Sequence, residues 1–248
     1  MFDEKSALLA FAAFCRIGAC LSIAPGFSSP RIPMRIRLFI AFGVAASFSL
    51  SLEAPAYAPD PTKPAALLRI IASETLVGAL LGLNSRMVLG ALETLSVAIS
   101  MAIGLTSSFG GRVDENESLP ELASLLSFGA IALIFFTDLH LMLVQALWRS
   151  FDALPLGASL DSAFGLSQLL RTLEFGFRLS LRIAMPFLAF GMISNIAFAA
   201  VNRMVSNIPL YFVSTPFVLG GGLLLLILGL KQLFAIFIGG FRLWIVGG

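Results

Sequence analysis

From Leu67 to Leu105 the chain is almost continuously apolar. As a single helix this run reaches about 60 Å, twice the hydrocarbon thickness of a bilayer. A chain carrying it must either turn inside the run, near Asn84–Arg86, or send a helix well out of the membrane. The rest of the sequence has the same character. It is 58% hydrophobic and 12% charged, against roughly 25% charge in a soluble domain. So little charge cannot cover a soluble surface, so the fold is expected to be all-α and integral to a membrane.

Prolines and charges divide the chain into apolar runs. The first covers Ala7 to Ala24 and stops at Pro25-Gly26. Ahead of it MFDEKS sets Asp3 and Glu4 against Lys5, so the basic start of a signal peptide is missing and the run is expected to be retained. A basic connector, SSPRIPMRIR, leads to a second run over Leu38–Leu52. Four prolines between Glu53 and Pro64 exclude a helix there. Beyond the long run lie Glu121–Trp148, then a more polar helical stretch over Leu166–Arg182, then Ile183–Val201 with Pro186 inside it. NRMVSNIP, from Asn202 to Pro209, interrupts the pattern. The last runs, Leu210–Leu230 and Leu233–Val246, are parted by Lys231-Gln232; with Gly220–Gly222 this junction predicts a hairpin or a bent helix. The expectation is six to eight apolar helical segments, with broken helices and hairpins, forming one domain over residues 1–248 and showing no internal repeat.

Arginine placement gives a partial topology. The Arg31/Arg35/Arg37 connector is expected on the cytoplasmic side, which puts the N-terminus outside. If the long run turns near Arg86, the stretch after it, GLTSSFGGRVDENESLP from Gly104 to Pro120, also lies outside. This is the longest polar interruption in the chain. Phe109 stands among small residues, followed by Gly110 and Gly111, and then by Arg112, Asp114, Glu115 and Glu117. Two readings stand open: a flexible turn, or a mobile plug formed by Ser107, Ser108, Phe109, Gly110 and Gly111, with Phe109 as the apolar stopper.

Charges inside the apolar runs are the other informative feature. Arg16, Arg69, Glu74, Arg86 and Glu93 all fall where lipid would be expected, and a charge at the bilayer centre costs about 2.5–3.5 kcal/mol on insertion scales. Spans that face other protein or a water-filled path tolerate them, so these five are candidates for pairs between subunits. Asp138 and His140 are two apart and point to different sides of a helix, so they form no local acid–base dyad. His140 is the single histidine, and Cys15 and Cys20 have no ligand-type neighbours, so no metal site and no cofactor are expected. No nucleophile elbow, zinc-protease helix or phosphate loop occurs, and there is no basic patch for nucleic acid. The chain is not expected to be an enzyme.

Several stretches together resemble the FliR family, the export-gate subunit of bacterial flagella with relatives in virulence type III secretion. RIGACLSIAPGFSSPRIPMRIR is similar to the family's N-terminal element through Arg16, Pro25, Ile32, Pro33, Arg35 and Arg37. Ile99–Phe109 resembles its glycine-centred entry to a loop, with Glu115 after Asp114 where members often carry proline. His140, Ser150, Phe151, Pro155 and Gly157 follow a further family pattern. Ala184, Pro186, Asn202, Arg203, Met204, Pro209, Phe212 and Pro216 match its ending.

The resemblance implies a non-enzymatic, single-copy subunit of a helical hetero-oligomeric export gate, with FliP-like and FliQ-like subunits and an FlhB-like switch protein as partners. Unfolded protein substrates would pass its pore. The location implied is the bacterial inner membrane, within the flagellar basal body, and the Gly104–Pro120 loop would be the pore plug. The virulence injectisome is the nearest rival. A stand-alone secondary transporter using Glu74 and Glu93 is the rival of another class, though such folds usually show internal repeats.

Overall fold

The computed structural model describes residues 4–29, 32–49, 64–105, 121–157, 162–204 and 210–247. These residues form helices and no strand: α1 (Glu4–Ile23), α2 (Met34–Ser49), α3 (Pro64–Ala102), α4 (Glu121–Phe136), α5 (Leu139–Ala153), α6 (Ser162–Met204) and α7 (Leu210–Gly247). The all-helical expectation holds, and the seven helices fall within the expected range.

The helix ends follow local chemistry. Pro33 and Pro64 stand at the starts of α2 and α3, where a missing N–H costs nothing. Gly26, with φ 84°, turns the chain after α1. Gly104, with φ 75°, does so after α3, its N–H donating to the Met101 carbonyl at 3.1 Å. Between α4 and α5, Asp138 takes the left-handed conformation at φ 56° and makes a bent pair of what composition reads as one run. α6 ends at Met204, inside the NRMVSNIP segment that breaks the apolar pattern.

In two places the alternatives left open by the sequence are narrowed. The long run does not turn near Asn84–Arg86; α3 is one helix of 39 residues. Asn84 and Ser85 are buried in its middle, and the Ser85 hydroxyl donates to the Gly82 carbonyl of the same helix at 2.7 Å, so the polar residues do not open it. The reasoning that set Gly104–Pro120 on the outer side needed that turn and falls with it. Nor is there a hairpin at the end of the chain: α7 runs unbroken for 38 residues through Pro216, Gly220–Gly222 and Lys231-Gln232. Lys231 and Gln232 lie on its exposed side. α6 likewise passes through Pro186 without ending.

The described chain groups into two compact units. One comprises Met1–Val88, Ile134–Glu174 and Ile245–Gly248. Its core joins Ala13, Ile17, Cys20 and Leu21 of α1 to Ala41 and Ala45 of α2 and to Leu147 and Phe151 of α5. Phe48 closes it, edge-on to Trp148 with ring centroids 4.6 Å apart. The other unit comprises Leu89–Leu133 and Phe175–Trp244. There glycines set the helix spacing. Gly191 lies on Ala102, Gly221 on Phe190, Gly222 on Ile103 and Gly129 on Phe234, each so close that a methyl group would collide.

By length and composition, three helical stretches could cross a bilayer: Pro64–Ala102, Ala163–Met204 and Ser214–Gly247. The bent pair α4–α5 counts as a fourth if taken as one broken span. The chain is a multi-pass helical membrane protein.

Candidate functional site

Three distant parts of the sequence meet around Arg16. It lies on α1, 58 residues from Glu74 on α3, and its Nε–H donates to Glu74 Oε2 at 2.6 Å. Both side chains are 1% exposed. The two Nη groups point at the end of α5. Nη1 donates to the Ser150 carbonyl at 3.0 Å and to its hydroxyl at 3.3 Å. Nη2 donates to the Leu154 carbonyl at 2.9 Å. Glu74 uses its other oxygen to accept the Gly157 N–H at 2.9 Å. The guanidinium carbon lies 4.2 Å from the centroid of the Phe151 ring, a cation–π placement.

Each partner is there for a physical reason. The Ser150 carbonyl accepts the Leu154 N–H at 2.9 Å and shares its second lone pair with Arg16, the Leu154 carbonyl lies past the last helical turn, and the helix end carries partial negative charge. α5 has no basic residue in its own last turn, so Arg16 supplies the cation from another helix. Gly157, with φ 81°, takes a conformation that a side chain would strain, and that turn aims its N–H at Glu74. On α3 the residues Glu74, Gly78 and Gly82 follow one another at intervals of four, on a single face. A Cβ at Gly78 would strike the Arg16 carbonyl, and one at Gly82 would lie 2.6 Å from the Cys20 carbonyl. Two glycines thus let α1 approach α3 closely enough for the ion pair to close.

Burying an ion pair is costly unless its remaining donors and acceptors are used. Here the guanidinium is bonded on Nε, Nη1 and Nη2, and the carboxylate on both oxygens. The arrangement can lock three chain segments together. Each carboxylate oxygen accepts one of these bonds, which fixes the orientation of the Glu74 side chain.

The structure assigns the sequence candidates differently from one another. Arg16 and Glu74, expected to seek partners on other subunits, pair with each other inside the chain, because the glycine contact brings their helices together. Arg69 is exposed on α3. Arg86 and Glu93 are half-buried, and each already has an interaction within the structure. His140 stacks on Phe135 with ring centroids 4.9 Å apart. Asp138 stands at the N-cap position of α5 without a side-chain capping bond. Ser107, Ser108, Phe109, Gly110 and Gly111 lie outside the described residues. Among the described residues no group of three His, Cys, Asp or Glu could hold a metal ion.

Ser150, Leu154 and Gly157 as partners of the ion pair were missed by the reading of charges. The signal lay in the pattern SFDALPLG, which carries Ser150, Phe151 and Gly157, but nothing in sequence spacing connects it to Arg16 more than 130 residues earlier.

A family described as bacterial export proteins, family 1, matches residues 7–243. The chain is similar to the flagellar biosynthetic protein FliR of Caulobacter vibrioides, 28% identical over 218 residues, covering 88% of this chain and 86% of that protein. It is 26% identical to the protein of that name from Escherichia coli over 213 residues, covering 85% and 80% of the two chains. The Aquifex aeolicus protein of that name is also 26% identical, over 239 residues, covering 92% and 87%.

Proposed function

The chain belongs to family 1 of the bacterial export proteins, the FliR family, and from that premise we propose that it is a core subunit of the flagellar type III export gate. In this reading it forms the pore for unfolded substrates with FliP-like and FliQ-like subunits, and an FlhB-like switch protein joins them. It works in the bacterial inner membrane, within the flagellar basal body. The Gly104–Pro120 loop plugs the pore at rest, with Phe109 to Gly111 as the stopper, and moves aside for substrate. Of the five candidate charges, Arg69 stands exposed on α3 and is the one offered to a partner subunit.

One observation carries the assembly. α3 is 39 residues long, about 58 Å of helix, and Leu68 and Met101 on it are 67% and 63% exposed. Phe164 and Met204, 58% and 85% exposed, bracket α6 over a longer distance still. An upright helix of either length outreaches a hydrocarbon layer of about 30 Å. Apolar surface beyond the lipid calls for protein cover, as a gate embedded in neighbouring subunits would provide. The pairing of Glu74 with Arg16 and Gly157 fits a structural role for that carboxylate better than the transporter reading. The curated relatives named above are all flagellar, which favours the flagellum over the injectisome.

Purification of the tagged full chain from its native membrane tests the assembly. FliP-like and FliQ-like proteins should be retained in stoichiometric amounts. A chain that purifies alone, or as a small homo-oligomer, with those proteins present in the same membrane, overturns the reading.

A further inference from the structure

α2 is built the wrong way round for a helix that ends its packing at its own core. It buries its small residues, Ala41 and Ala45, against α1 and leaves its largest ones outside. Phe39 is 78% and Phe42 64% exposed. At 100° per residue, Ala41, Val44, Ala45 and Phe48 share the inner face, and Val44 and Phe48 pack against the same core. Arg35, Phe39 and Phe42 share the opposite face, at intervals of four and three.

The two arginines of α2 divide between these faces. Arg37 turns inward, where its Nη2 donates to the Ser29 carbonyl at 3.2 Å. Arg35 is exposed and has no partner among the described residues. α2 holds no acidic residue at all, so nothing on this helix offsets the charge. The outer face therefore starts with an unpaired guanidinium and continues for about 10 Å as bulky apolar surface.

We propose that the Arg35–Phe39–Phe42 face of α2 is a docking surface for anionic phospholipid. The guanidinium takes the headgroup phosphate and the two phenylalanine rings lie along an acyl chain. Charge complementarity selects this occupant. A protein helix covering Phe39 and Phe42 would also need an acid to meet Arg35, whereas an anionic lipid brings the charge and the apolar chain in one molecule, in the order the helix presents them. A basic residue beside exposed apolar surface at a membrane interface is attracted to anionic lipid, which the cytoplasmic leaflet provides. The inference rests on the chain being a membrane protein and is independent of the gate reading.

The test uses the full chain, with whatever subunits co-purify, in nanodiscs of phosphatidylcholine. Equal mole fractions of acyl-photoreactive phosphatidylglycerol or photoreactive phosphatidylcholine are added, and labelling is mapped by peptide. The α2 peptide should be labelled about fivefold more by phosphatidylglycerol, the attraction expected of one arginine at the surface. Arg35→Gln should remove the excess, and Arg35→Lys should keep most of it. Labelling of α4 in the same sample reports that insertion is intact. Equal labelling by the two lipids overturns the proposal, as does an excess that survives Arg35→Gln. An α2 peptide labelled by neither lipid while α4 is labelled would show that protein covers this face, and would overturn it too.

Discussion

Arg16 and Glu74, 58 positions apart, close a 2.6 Å ion pair from which water is excluded. Removing one partner of a buried pair leaves the other charged and unpaired, at a cost of about 3–5 kcal/mol. Arg16→Met and Glu74→Leu should each lower the thermal midpoint of the purified chain strongly. The double substitution should cost clearly less than the two losses added. Reversing the charges should not restore stability, because a carboxylate on α1 would then face the Ser150 and Leu154 carbonyls, acceptor against acceptor. A double-mutant cycle on thermal unfolding in detergent measures this, and additive losses would show the pair to be uncoupled.

The glycines that admit the pair can be tested without touching a charge. Gly78→Ala and Gly82→Ala place a methyl group against the Arg16 and Cys20 carbonyls, which are backbone and cannot move aside alone. Both should destabilise the fold, Gly78→Ala more. Gly90 lies on the same helix, and a methyl group there meets nothing within 4 Å. Gly90→Ala should therefore gain up to about 1 kcal/mol of helix propensity. The three midpoints compared side by side separate close approach from propensity; equal effects at all three positions would refute the contact.

Much of this was legible in the sequence, and the limits have physical causes. Low charge and long apolar runs identify a helical membrane protein, because only helices satisfy the backbone in lipid within one segment. The same runs suggested interruptions in α3, α6 and α7 that end none of these helices. Gly220–Gly222, Pro186 and the polar Asn84–Arg86 cluster all read as interruptions when taken one at a time. In the fold, Gly221 and Gly222 serve contact with Phe190 and Ile103, and Asn84 and Ser85 are buried inside an unbroken helix. Periodicity reports one helix at a time and says nothing of what presses against it. The ion pair escaped for the same reason. Arg16 and Glu74 were both singled out as costly charges, yet only the Gly78–Gly82 contact, invisible without the second helix, makes them partners. The motif through Ser150, Phe151 and Gly157 pointed to the right residues but not to their common target.

Deleting Ser107–Gly111 probes the plug directly. In the assembled gate, reconstituted in a planar bilayer, resting ion conductance should rise while the subunits still co-purify. Phe109→Ala should move conductance the same way by a smaller amount, since it removes the stopper and keeps the loop. Unchanged conductance in the deleted gate sinks the plug while leaving the assembly standing, because the two readouts are separate.

The triple glycine of α7 distinguishes a packed helix from a hinge. Gly222→Val would drive its side chain into Ile103, while Gly221→Ala brings a methyl group to 2.8 Å from the tip of the Phe190 ring, which can rotate away. The loss should accordingly be large for the first and small for the second. At Gly220 nothing lies within 4 Å, so Gly220→Ala should stabilise the chain by up to about 1 kcal/mol through helix propensity alone. A hinge would behave in the opposite way at this position: its glycine would be needed for backbone freedom, and a methyl group would cost stability or activity wherever the hinge bends. Thermal midpoints of the three variants, read together with swimming motility of cells carrying them, decide between the two. A stabilised and motile Gly220→Ala alongside a destabilised Gly222→Val is the pattern that a packed, unhinged α7 requires.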